Sequence, residues 1–139
     1  MITAIYNYLV ADVTLMNLLT GGLYLADQVQ SISRQHTPAA YDANQEILPC
    51  GLLKEETITP WGPHPDGARR YVTVWLYQRY GYVATKAARQ RIYVLLHRQR
   101  LALDGFWQID HATDLPNLDA PGMDAALEMS RYVVHEERA

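Results

Sequence analysis

RRYVTVWLYQRYGYVATKAARQRIYVLLHRQR, residues 69–100, is the stretch on which the fold turns. Tyr71 to Gln78 is rich in β-branched and aromatic residues and predicts a strand. Alternation places Val72, Val74 and Leu76 on one face and Thr73, Trp75 and Tyr77 on the other. After Gly81 the period changes. Ala84, Ala88, Ile92, Leu95 and Leu96 recur at helical spacing, with Lys86, Arg89, Gln90, His97 and Arg100 opposite them. The small residues Ala84, Ala87 and Ala88 let this helix approach a sheet closely, most simply over Val72, Val74 and Leu76. One helix covers only one side of a sheet, so the side bearing Trp75 and Tyr77 must meet a second layer or another subunit.

Charge is concentrated in the same stretch. It carries eight of the twelve Lys and Arg residues and no acid, whereas the remainder carries four bases and fifteen acids. A +8 block therefore lies within a −11 surround, giving the net −3. The plain reading of a basic helix face is a solvated one. The alternative reading is a nucleic-acid-binding module using helix 82–100, with Arg89, Arg91, Arg98 and Arg100 on phosphates. Mild net acidity argues against bulk coating of nucleic acid.

At 139 residues, with 49% apolar and 19% charged residues, the chain reads as a soluble single domain, 1–139, able to bury a core without staples. Cys50 is alone, which excludes an intrachain disulfide and a cysteine-based zinc site. It is expected to be a small core hydrophobe. No signal-peptide pattern and no membrane-spanning run is present, so assembly in a cytoplasm is expected.

Outward from the centre, residues 3–20 predict a helix bent near Asp12, which could cap a second short helix. Gly21-Gly22 stops it, one glycine taking the left-handed C′ conformation. Leu23-Tyr24-Leu25 reads as a short extended piece. Gln28 to Gln45 reads as a long loop of the kind that is often functional. Ile47 to Thr59 predicts a strand with Pro49 near its start. Pro60 to Gly67 is a turn cluster, making a hairpin with a long tip. Asp104-Gly105 turns the chain into a strand at Phe106–Ala112. Asp114 to Gly122, acidic and carrying Pro116 and Pro121, reads as another loop. Asp124 to Glu137 fits a helix through Ala125, Ala126, Met129 and Val133. It fits a strand equally well through Leu127, Met129, Tyr132, Val133 and Val134.

No constellation for catalysis, cofactor or metal stands out. His36, His64, His97, His111 and His135 are scattered singly, without HExxH spacing or a cysteine partner. Asp110-His111 and His135-Glu136-Glu137 hold acid–base types, but neighbours on a strand point to opposite faces. There is no GxGxxG, no Walker loop and no GxSxG elbow, and Ser130 has no evident base. Trp61, Trp75 and Trp107 could stack bases if they shared a surface with the arginines, but tryptophans spread over separate strands are more often core or interface residues.

The order helix, Gly-Gly, long loop, strand hairpin, basic helix and two terminal strands resembles the tail-terminator and tail-completion proteins of long-tailed bacteriophages. The residues that carry the likeness are Leu9-x-x-Asp12-x-x-Leu15-x-x-Leu18-Leu19-x-Gly21-Gly22-Leu23-Tyr24, then Leu48-Pro49-Cys50 opening a strand. Val72-Thr73-Val74-Trp75 follows, leading into the Ala-rich helix that ends Leu95-Leu96-His97. The resemblance implies an α+β fold, a mixed or mostly antiparallel sheet with helices on one face, assembled into a ring that is usually a hexamer. It makes Asp124–His135 a strand. It implies a virion protein at the tail neck, with the major tail tube protein and the head–tail connector protein as partners. DNA would pass through the lumen without specific binding, and no enzyme activity is implied. A head-closure or minor tail protein of the same fold is the neighbouring alternative. In such a ring the stripe Lys86, Arg89 and Arg100, with Arg69 or Arg70, is expected to face Asp114, Asp119 and Asp124 of the next subunit. Trp61, Trp75 and Tyr77 are further candidate contacts.

Overall fold

The structure is a computed structural model that describes residues 2–61, 64–100 and 106–137. The side chains of Trp61 and Trp107, and the Asp104-Gly105 turn, lie outside the described set. One five-stranded mixed sheet organises the chain. Its strands are β1 (Leu23–Leu25), β2 (Cys50–Trp61), β3 (His64–Gln78), β4 (Phe106–Ala120) and β5 (Ala125–Glu137), in the spatial order β1-β2-β3-β5-β4. Only β1–β2 is parallel. The helices α1 (Ile2–Val10), α2 (Val13–Leu18) and α4 (Val83–Leu96) pack on one face, and α3 (Ala26–Val29) follows β1. The α+β architecture expected from the sequence is the one observed.

The strand–helix unit packs as its periodicity requires. Val72, Val74 and Leu76 are fully buried with Ala88, Ile92 and Leu96 of α4, and Ile5, Leu9, Leu15 and Leu19 extend this core under the other helices. Only the margins of the expected set differ: Leu95 is partly buried against this core, and Thr85 rather than Ala84 lies fully inside. Gln78 starts α4, its Oε1 accepting from the Ala84 and Thr85 amides at 3.0 and 3.2 Å. That satisfies donors which the first helical turn leaves free. Gly81, at φ +68°, makes the turn between them in a conformation that suits glycine.

The N-terminal helix breaks at Asp12, whose side chain accepts from the Leu15 amide at 2.8 Å and caps α2. The glycine pair works differently from a C′ stop. The helix has already ended at Leu18; Gly22 takes the positive φ, and the Gly21 amide donates to Pro49 O at 2.7 Å. A Cβ on Gly21 would come within 3.0 Å of the Leu48 Cβ, so glycine there permits the close approach that seats β1 beside β2.

Two segments read as turn or loop are strand. β2 and β3 run through the Pro60–Gly67 cluster to Trp61 and from His64, so the hairpin tip is short. Pro60 is tolerated because β1 reaches only Leu53, which leaves the rest of β2 an edge without a ladder bond to lose. β4 likewise continues through Asp114 to Ala120. Pro116 and Asn117 lie in the register shift between Leu115 and Leu118, Asn117 at φ 57°, on an outer strand where a bulge is accommodated. The 125–137 segment is strand β5, as the family likeness implied. Its helix-side set is Ala126, Glu128, Ser130, Tyr132, Val134 and Glu136, and the polar members hide the alternation.

The sheet's second face has its own cover. Ile32, Ala40 and Ile47, from the segment read as a loop, are buried with Cys50, Leu52 and Ala125, and Tyr24, Tyr41, Trp75 and Tyr77 pack against them. Burial pushes the Cys50 thiol up to about 12, as expected of a core cysteine.

Candidate functional site

The densest polar arrangement lies along the seam between α4 and strands β4 and β5. Lys86 and Arg89 stand on the flank of α4 that faces β4. They reach Glu128, a β5 side chain with no solvent exposure. Lys86 Nζ donates to Glu128 Oε2 at 3.1 Å, Arg89 Nε to Oε1 at 3.4 Å, and the Asn117 amide to Oε2 at 3.1 Å. The left-handed turn at Asn117 brings that amide inward, giving the β4 bulge a structural purpose. A buried carboxylate costs several kcal/mol unless paired and hydrogen-bonded, and both conditions are met here.

Beside it, Asp114 gathers three donors. Arg89 Nη1 lies 2.7 Å from Oδ2, and Ser130 Oγ and His111 Nε2 lie 2.7 and 2.9 Å from Oδ1. Burial alone would push this carboxyl up, but the hydrogen bonds from His111, Ser130 and Arg89 outweigh it and hold the pKa below the usual value. The His111 amide donates to His97 Nδ1 at 3.0 Å, which makes Nδ1 the unprotonated nitrogen of that ring. Tyr93 stacks on His97 with centroids 4.7 Å apart, and His111 stands edge-on to Tyr93 and Tyr132. Arg89, Gln90, Tyr93, Val94, His111 and Asp114 line an open groove of about 390 Å³ above this floor.

Ser130, His111 and Asp114 are the residue types of a nucleophilic triad, but they are wired differently. The serine hydroxyl donates to the carboxylate, not to the imidazole, so no base stands at its oxygen. Among the described residues, no group of three His, Cys, Asp or Glu side chains is placed to hold a metal. The arrangement chemically suits holding α4 on the sheet.

The sequence-expected residues distribute as follows. Arg89 and Asp114 do meet, within one chain. Lys86 is engaged with Glu128 of its own chain. Arg91 forks onto Asp12 with contacts of 2.9 and 2.7 Å, tying α4 to the cap of α2. Arg70 pairs with Glu55 and Glu136, and Arg79 with Glu46. The basic block is thus largely neutralised within the protomer. Arg100, Asp119 and Asp124 are exposed and make no ion pair among the described residues. Trp75 and Tyr77 are half-buried under the chain's own cover. Glu128 and Asn117 were not foreseen. Their only sequence signal is an acid alternating with Ser130 and Tyr132 on one strand face.

The comparison with solved structures bears on this geometry. The chain is similar to a chain from the "Virion of native gene transfer agent (GTA) particle", with a TM-score of 0.74 at 15% identity over 99% of this chain and 94% of that one. The fold is that of a virion chain. At this identity the likeness establishes the fold, end to end, and no more. No protein-family model and no curated protein matches the chain. Among the described residues, no helix is long and apolar enough to cross a membrane.

Proposed function

We propose that this chain is a structural virion protein that caps the head-proximal end of a phage-type tail tube as a ring, usually a hexamer. The ring ends tube polymerisation and offers the joint to the head connector. The observation that carries this reading is the near-complete mutual coverage with a virion chain, 99% and 94%. A shared domain inserted in an unrelated protein would not cover both chains so fully.

The seam supports the same reading. Its ionisable groups satisfy one another, which suits a part whose task is to hold shape. Arg89 and Arg91, two of the cations a DNA-binding helix would need, are turned onto Asp114, Glu128 and Asp12. A lumen that conducts DNA should not grip it, and phosphate binding draws on unpaired cations. In this reading Arg100, Asp119 and Asp124 are contacts to a neighbouring subunit, the tube protein or the connector protein. Trp61, and the solvent-facing parts of Trp75 and Tyr77, belong to the same proposal.

Electron microscopy of the purified chain tests this directly. Closed rings are expected, and adding them to polymerising tube protein should shorten the tubes. Particles that stay monomeric at every concentration and leave tube length unchanged would refute the reading.

A further inference from the structure

Internal pairing leaves two small groups of charge over, one at each end of the seam between α4 and β4. At one end Arg98 and Arg100 flank Gln99, which bridges to Ile109 near the start of β4. Arg98 N donates to Ile109 O at 2.8 Å and Ile109 N to Gln99 O at 3.1 Å, which fixes the segment beside that strand end. Both arginines are exposed, and neither makes an ion pair among the described residues. At the other end Tyr82, just before α4, donates its hydroxyl to Leu118 O at 2.8 Å, near the end of β4. Asp119 and Asp124 stand there, exposed and likewise without an ion pair among the described residues. With a rise of ~1.5 Å per residue from Tyr82 to His97, the two ends lie roughly 22 Å apart.

The acidic end is a groove rather than a flat patch. It has a volume of about 480 Å³, and Tyr80, Tyr82, Pro121, Asp119 and Asp124 line it with Arg79 at the side. Tyr80 is 72% exposed. Arg79 lies over the Tyr80 ring, 4.7 Å from its centroid, and Lys86 over the Tyr82 ring at 5.6 Å, so these rings already take cations. The cations around the groove are committed elsewhere: Arg79 to Glu46, Lys86 to Glu128 and Arg34 to the Gln45 carbonyl. The two aspartates are therefore unanswered within the chain. A planar guanidinium suits them, since it pairs with carboxylates and stacks on aromatic faces. Other described cations outside ion pairs fit less well, because Lys54 stands singly on β2 and Arg69 is half-buried on β3. Arg98 and Arg100 match the aspartates two for two.

We infer that a second copy of this chain docks here head to tail, its Arg98 and Arg100 entering the groove of Asp119 and Asp124. This inference rests on the ring reading above and names the contact that builds the ring. Charge complementarity carries it. Both halves of the contact belong to one chain and stand at opposite ends of one seam, so each subunit answers the charges of its neighbours. Two different patches in contact form a heterologous interface, and its repetition closes a ring where the rotation permits. Exposed ion pairs bring little affinity singly. Here they decide which ends meet and in what register.

Charge exchange in the full chain tests it. Arg100→Glu and Asp119→Lys should each raise the concentration for half-assembly at least fivefold at low ionic strength, with circular dichroism unchanged. The double variant carrying both should return to within twofold of the parent. Single variants that assemble like the parent, or a double variant no better than the singles, would overturn the contact. Paired cysteines give a second measure. Cys50 is buried, with its thiol pushed up to about 12, so it stays out of mild oxidation. Arg100→Cys with Asp119→Cys should give a ladder of covalent oligomers on a denaturing gel. A ladder that stops at the dimer would mean two copies lying antiparallel, and would overturn the head-to-tail contact. Rings visible by microscopy that ignore charge exchange and give no ladder would also overturn it, while leaving the ring reading standing. No assembly at any concentration would remove both.

Discussion

Glu128 is the residue on which the α4 seam depends, because it is the one fully buried carboxylate there and its cations come from a single helix. Removing Arg89 leaves Glu128 with Lys86 alone and takes a donor from Asp114. Arg89→Leu should therefore cost about 3 kcal/mol, at the lower end of the range for a broken buried pair because Lys86 remains. Urea denaturation checks this, and a loss below about 0.5 kcal/mol would mean that the seam is slack. Acid should weaken the fold in two stages. Burial holds the His135 pKa below the ordinary histidine value, assisted by Arg69 and opposed by Asp110. The stability this contributes is complete above about pH 6.5 and is lost as pH falls through the folded value. Asp12 is held down by Arg91, and Asp114 by its three donors against the pull of burial. Their contribution is present above about pH 4 and is lost below it. Melting temperature should thus fall from pH 7 to pH 5 and again below pH 4, and His135→Phe should flatten only the first fall. A Tm that rises on acidification would contradict the assignment. Of these pairings the sequence offered only Arg89 with Asp114, and placed it between subunits rather than within the chain. Arg89 meets Asp114 and Glu128 across 25 and 39 positions, and no local pattern encodes a pairing that depends on how strands are ordered.

At the scale of elements, periodicity served well wherever burial was purely apolar. The alternation in β3 and the helical repeat of α4 meet in the core as expected, and Asp12 does cap α2. It failed where polar side chains face inward or where proline lies on an edge. β5 carries Glu128 and Ser130 on its helix side, so neither a strand nor a helix pattern could prevail. β4 carries Pro116 in a bulge and so reads as a loop. The helix phase makes a sharp comparison possible. Leu96 is fully buried and Leu95 lies at the margin of the core. Leu96→Ala should cost about 3–5 kcal/mol, transfer and cavity together, and Leu95→Ala about half of that or less, since its site is already open on one side. Equal losses in chemical denaturation would place Leu95 in the core as fully as Leu96.

For the whole molecule, segregation of charge along the chain disappears in space. A block with eight cations and no acid is folded against acids drawn from Asp12, Glu46, Asp114, Glu128 and Glu136. The linear pattern therefore serves internal cohesion first. Sheet order has a further result, in time rather than in space. β5 is the latest strand in chain order, yet it is paired on both sides, to β3 and to β4. While the chain is being made, β4 has emerged before β5, its neighbour in the sheet, exists, and α4 has no Glu128 on which to anchor its lysine and arginine. Completion must wait for β5 to enter a gap held open between two earlier strands. Such non-local closure slows folding and leaves the nascent chain with two unpaired edges. A ribosome-bound intermediate of this chain should be a natural client for whatever shields exposed strands in the cell.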